Sequence, residues 1–176
     1  RFLFVVAAFI LIPSPSLHAK EEEVDKEFFF ACSGGKADQV WKYLQEHPDW
    51  NNAHTPEGET CLHLAAIPGS ESVTKLLLES GADPNARTTF KGGLRMHPLS
   101  WNIYGGHYEN VKLLLEHGAH VNADVDDGKG NVIAVLDANA KFLGGEPGPY
   151  TEQAEKIQKL LLEYGAKAYA ELQEYL

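Results

Sequence analysis

Cysteine and methionine are nearly missing from this chain, with two Cys and one Met in 176 residues. Two cysteines exclude a disulfide-dense scaffold and a four-cysteine zinc site. Basic residues are also scarce, 15 Lys plus Arg against 25 Asp plus Glu, for a formal charge of -10. That balance excludes the phosphate-neutralising surface on which nucleic-acid binders depend. No apolar run reaches the ~18 residues of a membrane-spanning helix. The sequence has no Asn-x-Ser/Thr sequon and no Gly-x-Ser-x-Gly, so neither N-glycosylation nor that esterase chemistry is expected. At 44% hydrophobic and 23% charged residues, the composition is that of a folded protein long enough to bury a core.

What is present begins with a leader. Arg1 precedes an unbroken apolar run from Phe2 to Ile12, then Pro13-Ser14-Pro15-Ser16 and Leu17-His18-Ala19 before charged Lys20-Glu21-Glu22-Glu23. Eleven helical residues rise ~16 Å, about half of a ~30 Å hydrocarbon layer. A basic start, a short apolar core and a small residue before the exit match a secretory signal peptide cut after Ala19. Removing nineteen residues and the Arg1 charge leaves 157 residues at -11, expected to be secreted, monomeric and free of the membrane.

The rest of the chain repeats itself. Lys75-Leu76-Leu77-Leu78-Glu79-Ser80-Gly81-Ala82-Asp83-Pro84-Asn85-Ala86 recurs as Lys112-Leu113-Leu114-Leu115-Glu116-His117-Gly118-Ala119-His120-Val121-Asn122-Ala123, and again as Lys159-Leu160-Leu161-Leu162-Glu163-Tyr164-Gly165-Ala166. A weaker copy runs from Val40 to Asn51, and Asn51, Asn85 and Asn122 serve as landmarks spaced 34 and 37. Gly81, Gly118 and Gly165 each follow a helical apolar pattern, as expected of a left-handed helix end. Upstream, Thr55-Pro56-Glu57-Gly58-Glu59 is a turn signal before the short helix Thr60 to Ala66.

Thr60-Cys61-Leu62-His63-Leu64-Ala65-Ala66 and Gly81-Ala82-Asp83-Pro84-Asn85 closely resemble the ankyrin repeat family, with Cys61 where the family has Pro and Pro84 where it has Val. His97-Pro98-Leu99-Ser100-Trp101-Asn102-Ile103 is a looser copy, and Glu27 to Gly35 resembles an N-terminal capping repeat. The resemblance covers roughly residues 24–169. It implies an all-α solenoid of about four helix-turn-helix repeats with hairpin loops. Its parts are a signal peptide over 1–19, an acidic linker over 20–26, repeats over 27–54, 55–87, 88–124 and 125–169, and a tail over 170–176. Insertions fall before Thr60, between Asn85 and His97, and over Ala138 to Tyr150 of the last repeat, whose outer helix is expected to start at an N-cap on Thr151.

For function, the resemblance implies a non-catalytic scaffold that binds a protein through the concave face formed by fingers and inner helices. The candidate partner-binding residues are Glu57, Glu59, Ile67, Phe90, Leu94, Arg95, Met96, Tyr104 and His107. Aromatic, Met and Arg side chains are the types enriched in binding hot spots. The acidic balance favours a basic partner whose affinity falls with salt. Phe28, Phe30 and Trp101 are expected to pack, and His63 to hydrogen-bond between repeats. Cys32 and Cys61 fall at opposite ends of neighbouring inner helices; packed ~8–10 Å apart and five helical steps out of register, they are expected to stay unpaired.

Metal and cofactor chemistry is not expected. Asp124-Val125-Asp126-Asp127-Gly128 places its Gly fifth and lacks a Glu at the twelfth position of a calcium loop. His54, Cys61 and His63 fit no common zinc spacing. Two other readings of function stay open: a regulatory module of a larger enzyme or channel, since the chain opens on Arg1 instead of Met, and a secreted host-directed effector.

Overall fold

The computed structural model describes residues 24–89, 95–125, 130–133, 136 and 149–168. The leader, most of the second finger and most of the last insertion lie outside the described residues. Helices come in pairs: α1 (Lys26–Ser33) with α2 (Ala37–Glu46), α3 (Cys61–Ala65) with α4 (Glu71–Glu79), and α5 (Pro98–Tyr104) with α6 (Tyr108–Glu116). A longer helix, α7 (Pro149–Glu163), packs on α6. The short helices α1, α3 and α5 stack on one another as an inner row, and α2, α4, α6 and α7 form the outer row. The result is an all-α repeat fold.

Local chemistry sets the ends of these helices. The Asp25 carboxylate accepts the Glu27 N–H at 3.0 Å, so α1 starts at Lys26, inside the stretch read as linker. Ser70 caps α4 by accepting the Val73 N–H at 3.4 Å, and Pro98 opens α5, where its missing N–H costs nothing. Gly81, Gly118 and Gly165 adopt φ of 86°, 87° and 83°, the left-handed region in which a Cβ is unfavourable. The last outer helix begins at Pro149, not at Thr151, because proline at a first helical position already has the required φ. Glu152 then lies in the first turn and pairs with Lys156 at 2.8 Å.

Each repeat leaves one apolar flank that its neighbour covers. Val40, Leu62, Ala65, Val73, Leu77, Leu99, Ile103, Val111, Leu114, Ile157 and Leu161 make one continuous buried row along the solenoid. At the N-terminal end, Phe28, Tyr43 and Trp50 meet with ring centroids 5.6–5.8 Å apart, and His47 stacks on Trp50 at 4.1 Å. Phe28 and Trp50 belong to the buried core, and Tyr43 packs against it.

A ladder of asparagines ties the repeats together. Asn85 donates to the Gly118 carbonyl and accepts from the His120 N–H; Asn122 does the same with Gly165 and Lys167. In the first repeat the equivalent residue is Asn52, which reaches Gly81 and Asp83. The landmark is therefore Asn52, one position beyond the sequence expectation. Asn51 instead turns into the structure and donates to the Ser80 carbonyl at 2.7 Å.

Cys32 and Cys61 form a disulfide, with Cα atoms 5.4 Å apart. This overturns the expectation of two unpaired thiols. That expectation assumed inner helices stacked in strict parallel register. Instead the first residue of α3 lies beside the last turn of α1, which removes the five-step offset.

Candidate partner-binding face

The exposed apolar residues of the inner row are the starting point. Gly69 and Gly106 end equivalent turns with φ of 66° and 72°, so Ile67 and Tyr104, each two residues earlier, occupy the same register in successive repeats. Both side chains point away from the core, Ile67 being 61% and Tyr104 55% exposed. Phe30 joins them from α1 at 62% exposed. It was expected to pack, but residues on a helix advance by ~100° each, so Phe28, Phe29 and Phe30 cannot all face inward. Phe28 takes the core position with no exposure, and Phe30 is left outside. The triple Phe in the sequence contained that signal.

The finger residues divide. Phe90 and Leu94 lie outside the described residues. Met96 is 7% exposed and belongs to the core. Its N–H donates to the Thr88 hydroxyl at 3.1 Å, and its carbonyl accepts the Thr88 N–H. Met96 is thus structural at the base of the finger, where it is buried and paired with Thr88. The Arg95 carbonyl accepts the Arg87 Nε–H at 3.3 Å, and Arg87 also pairs with Asp124 at 3.2 Å. These links stiffen the finger base across two repeats.

The acidic pair of the first finger also divides. The Glu57 side chain is exposed, while its carbonyl accepts the Thr89 N–H at 2.8 Å and joins adjacent fingers. Glu59 is half-buried, with its carboxylate accepting the Thr55 hydroxyl at 3.4 Å. His107 is half-buried, and its ring sits in a slot made by Gly69 and Gly105, where any added Cβ would collide with it. It locks the second and third repeats from below. Among the described candidates, Ile67, Tyr104 and Glu57 are the exposed ones.

Behind this face lies a polar core. His63 Nδ1 accepts the Thr60 N–H at 3.1 Å, and Nε2–H donates to the Met96 carbonyl at 3.1 Å. Complete burial pushes its pKa down to about 4, so it stays neutral at pH 7. The Trp101 ring meets it edge-on at 5.6 Å, as packing requires. Asn102 and Asn110, both buried, hydrogen-bond across α5 and α6 at 2.9 Å, and Asn102 also donates to the Pro98 carbonyl. Helical periodicity gave no reason to expect a polar pair there. Among the described residues, no three His, Cys, Asp or Glu side chains converge on a metal position.

The repeat unit can now be compared with known proteins. A family model described as ankyrin repeats, three copies, matches residues 28–125, more than half of the chain. The chain belongs to the ankyrin repeat family. Rat ankyrin repeat and SAM domain-containing protein 6 (Rattus norvegicus) is 32% identical over 108 residues, 61% of this chain and 12% of that protein. A putative ankyrin repeat protein of Rickettsia bellii is 40% identical over 70 residues, 40% of this chain and 28% of its own length. A serine/threonine-protein kinase of Arabidopsis thaliana is 31% identical over 116 residues, 64% of this chain and 26% of the kinase. The chain thus spans less than a third of the length of each of these relatives. Ankyrin repeats are protein-interaction modules, and the solenoid's curvature supplies their extended concave surface. Among the described residues, no helix is long and apolar enough to cross a membrane.

Proposed function

We propose that this chain is a non-catalytic scaffold that binds a protein partner through the inner-helix face. The observation that carries the reading is the register of Ile67 and Tyr104, two large apolar side chains exposed at equivalent positions of successive repeats. Burial of such residues releases ~25 cal/mol per Å² of apolar surface, and a solitary protein gains nothing by exposing them. The exposed Glu57 carboxylate and the charge of -10 favour a basic partner. Export is part of the reading: it is supported by the apolar leader and by the Cys32–Cys61 disulfide, a linkage that persists in oxidising compartments.

The test compares the full chain with an Ile67→Ala/Tyr104→Ala variant as baits in affinity capture. Proteins retained by the first and lost by the second, at unchanged thermal stability, support the reading. Equal capture by both baits removes it. Affinity for a retained partner should fall as salt rises from 50 to about 300 mM, since the Debye length shrinks. The relatives' greater length favours a second reading, in which these repeats are the regulatory region of a longer protein. A full-length transcript encoding a further domain would decide for it.

A further inference from the structure

The cross-link spans the interface between the first two described helix pairs. Among the described residues, α1 and α2 pack chiefly on α3 and α4, whereas the inner repeats have neighbours on both sides. In a solenoid, stability is a sum over repeats and nearest-neighbour interfaces, so one interface can open while the others hold. Cys32 and Cys61 cross that one interface, and both side chains have no exposure at all.

We propose that the Cys32–Cys61 disulfide is a redox lock on the N-terminal repeat. Closing it joins the two Sγ atoms and releases two protons and two electrons. An oxidised exchange partner such as glutathione disulfide accepts these and leaves as two thiols, through a mixed-disulfide step. Because the sulfurs are fully buried, a reductant reaches them only while α1 is lifted from α3. Reduction therefore proceeds at the pace of that local opening. The two thiols are small apolar groups that still fit the core. The reduced repeat re-closes, but packing alone then holds it, and it opens independently of the repeats that follow.

Hydrogen exchange of the full chain, read by mass spectrometry, tests this. The oxidised protein should protect amides over 26–46 about as well as those over 71–79. With a phosphine reductant, exchange over 26–46 should rise roughly 10-fold or more, while 98–116 changes less than about twofold. A Cys32→Ala/Cys61→Ala variant should exchange like the reduced protein with or without reductant. The reduced wild-type chain carries the test should that variant fail to fold. A uniform rise along the chain, or none, overturns the lock. Uptake of two maleimides by the denatured, unreduced protein overturns it as well.

Discussion

At the residue scale, His63 makes stability depend on pH. Its pKa is about 4 in the folded chain against 6.5 when solvated, so the unfolded state binds the proton first as pH falls. Stability is full above about pH 6.5, declines between there and about 4, and is flat below. The loss is on the order of 3 kcal/mol, from a shift of about two and a half units. His97 is lowered in the same direction, chiefly by burial, and adds to the effect. Denaturant midpoints at pH 7 and pH 4.5 measure it. In a His63→Gln variant most of the acid sensitivity should vanish, while stability at pH 7 falls by about 1–3 kcal/mol for the broken bonds to Thr60 and Met96. The outward residues should behave in the opposite way. Ile67→Ala and Tyr104→Ala are expected to shift unfolding by less than about 0.5 kcal/mol, because more than half of each side chain is exposed.

At the element scale, the asparagine ladder holds one repeat to the next. Asn85 satisfies a carbonyl and an N–H of the following repeat with one side chain. Asn85→Ala should cost about 1–3 kcal/mol and loosen the interface between the second and third repeats. Exchange should quicken over both 71–79 and 108–116 if the ladder has that role, and over neither if it is decorative. The glycine that ends α6 belongs to the same device. Gly118→Ala forces a side chain into φ of 87° and should cost about 1–2 kcal/mol, although nothing lies near enough to clash with it. Gly69 differs: a Cβ there meets the His107 ring. Gly69→Ala should therefore be the more damaging of the two, and it should be partly relieved in combination with His107→Ala.

At the scale of the whole molecule, the quasi-linear arrangement decides how the protein comes apart. The disulfide closes a sequence separation of 29 residues. Chain entropy then sets its contribution at about 3–4 kcal/mol, applied at the single interface between α1 and α3. Urea unfolding followed by far-UV circular dichroism should give one transition for the oxidised protein. After reduction, an early step should separate from the main one, with a smaller amplitude matching α1 and α2. A single transition that merely moves to lower urea would mean that the repeats unfold as one cooperative unit. The fold is mostly helical, and the described sheet is only the two-residue pairing of Asp124 with Asn131 and Val125 with Gly130. Nearest-neighbour helix packing must therefore carry nearly all of the cooperativity.

Much of this was legible without coordinates. The recurrence of Lys-Leu-Leu-Leu-Glu and of Gly-Ala four residues before Asn determined the repeat, its helices and its left-handed glycines, because these depend on local backbone energetics. The structural hydrogen-bonding role of His63 followed from the resemblance of Thr60-Cys61-Leu62-His63 to the ankyrin repeat, and its bonds to Thr60 and Met96 agree with it. Which side chains face outward was less legible. Phe30 and Met96 exchanged their expected places, since exposure depends on how each helix is rotated against its neighbour and on where the finger strand returns. Asn52 took the place expected of Asn51 in the ladder, although its distance of 33 residues from Asn85 already matched the usual ankyrin period. The disulfide lay furthest from what the sequence determines. Pairing two cysteines requires the relative offset of α1 and α3, and that offset is set by the packing of side chains from both helices, not by the sequence of either one.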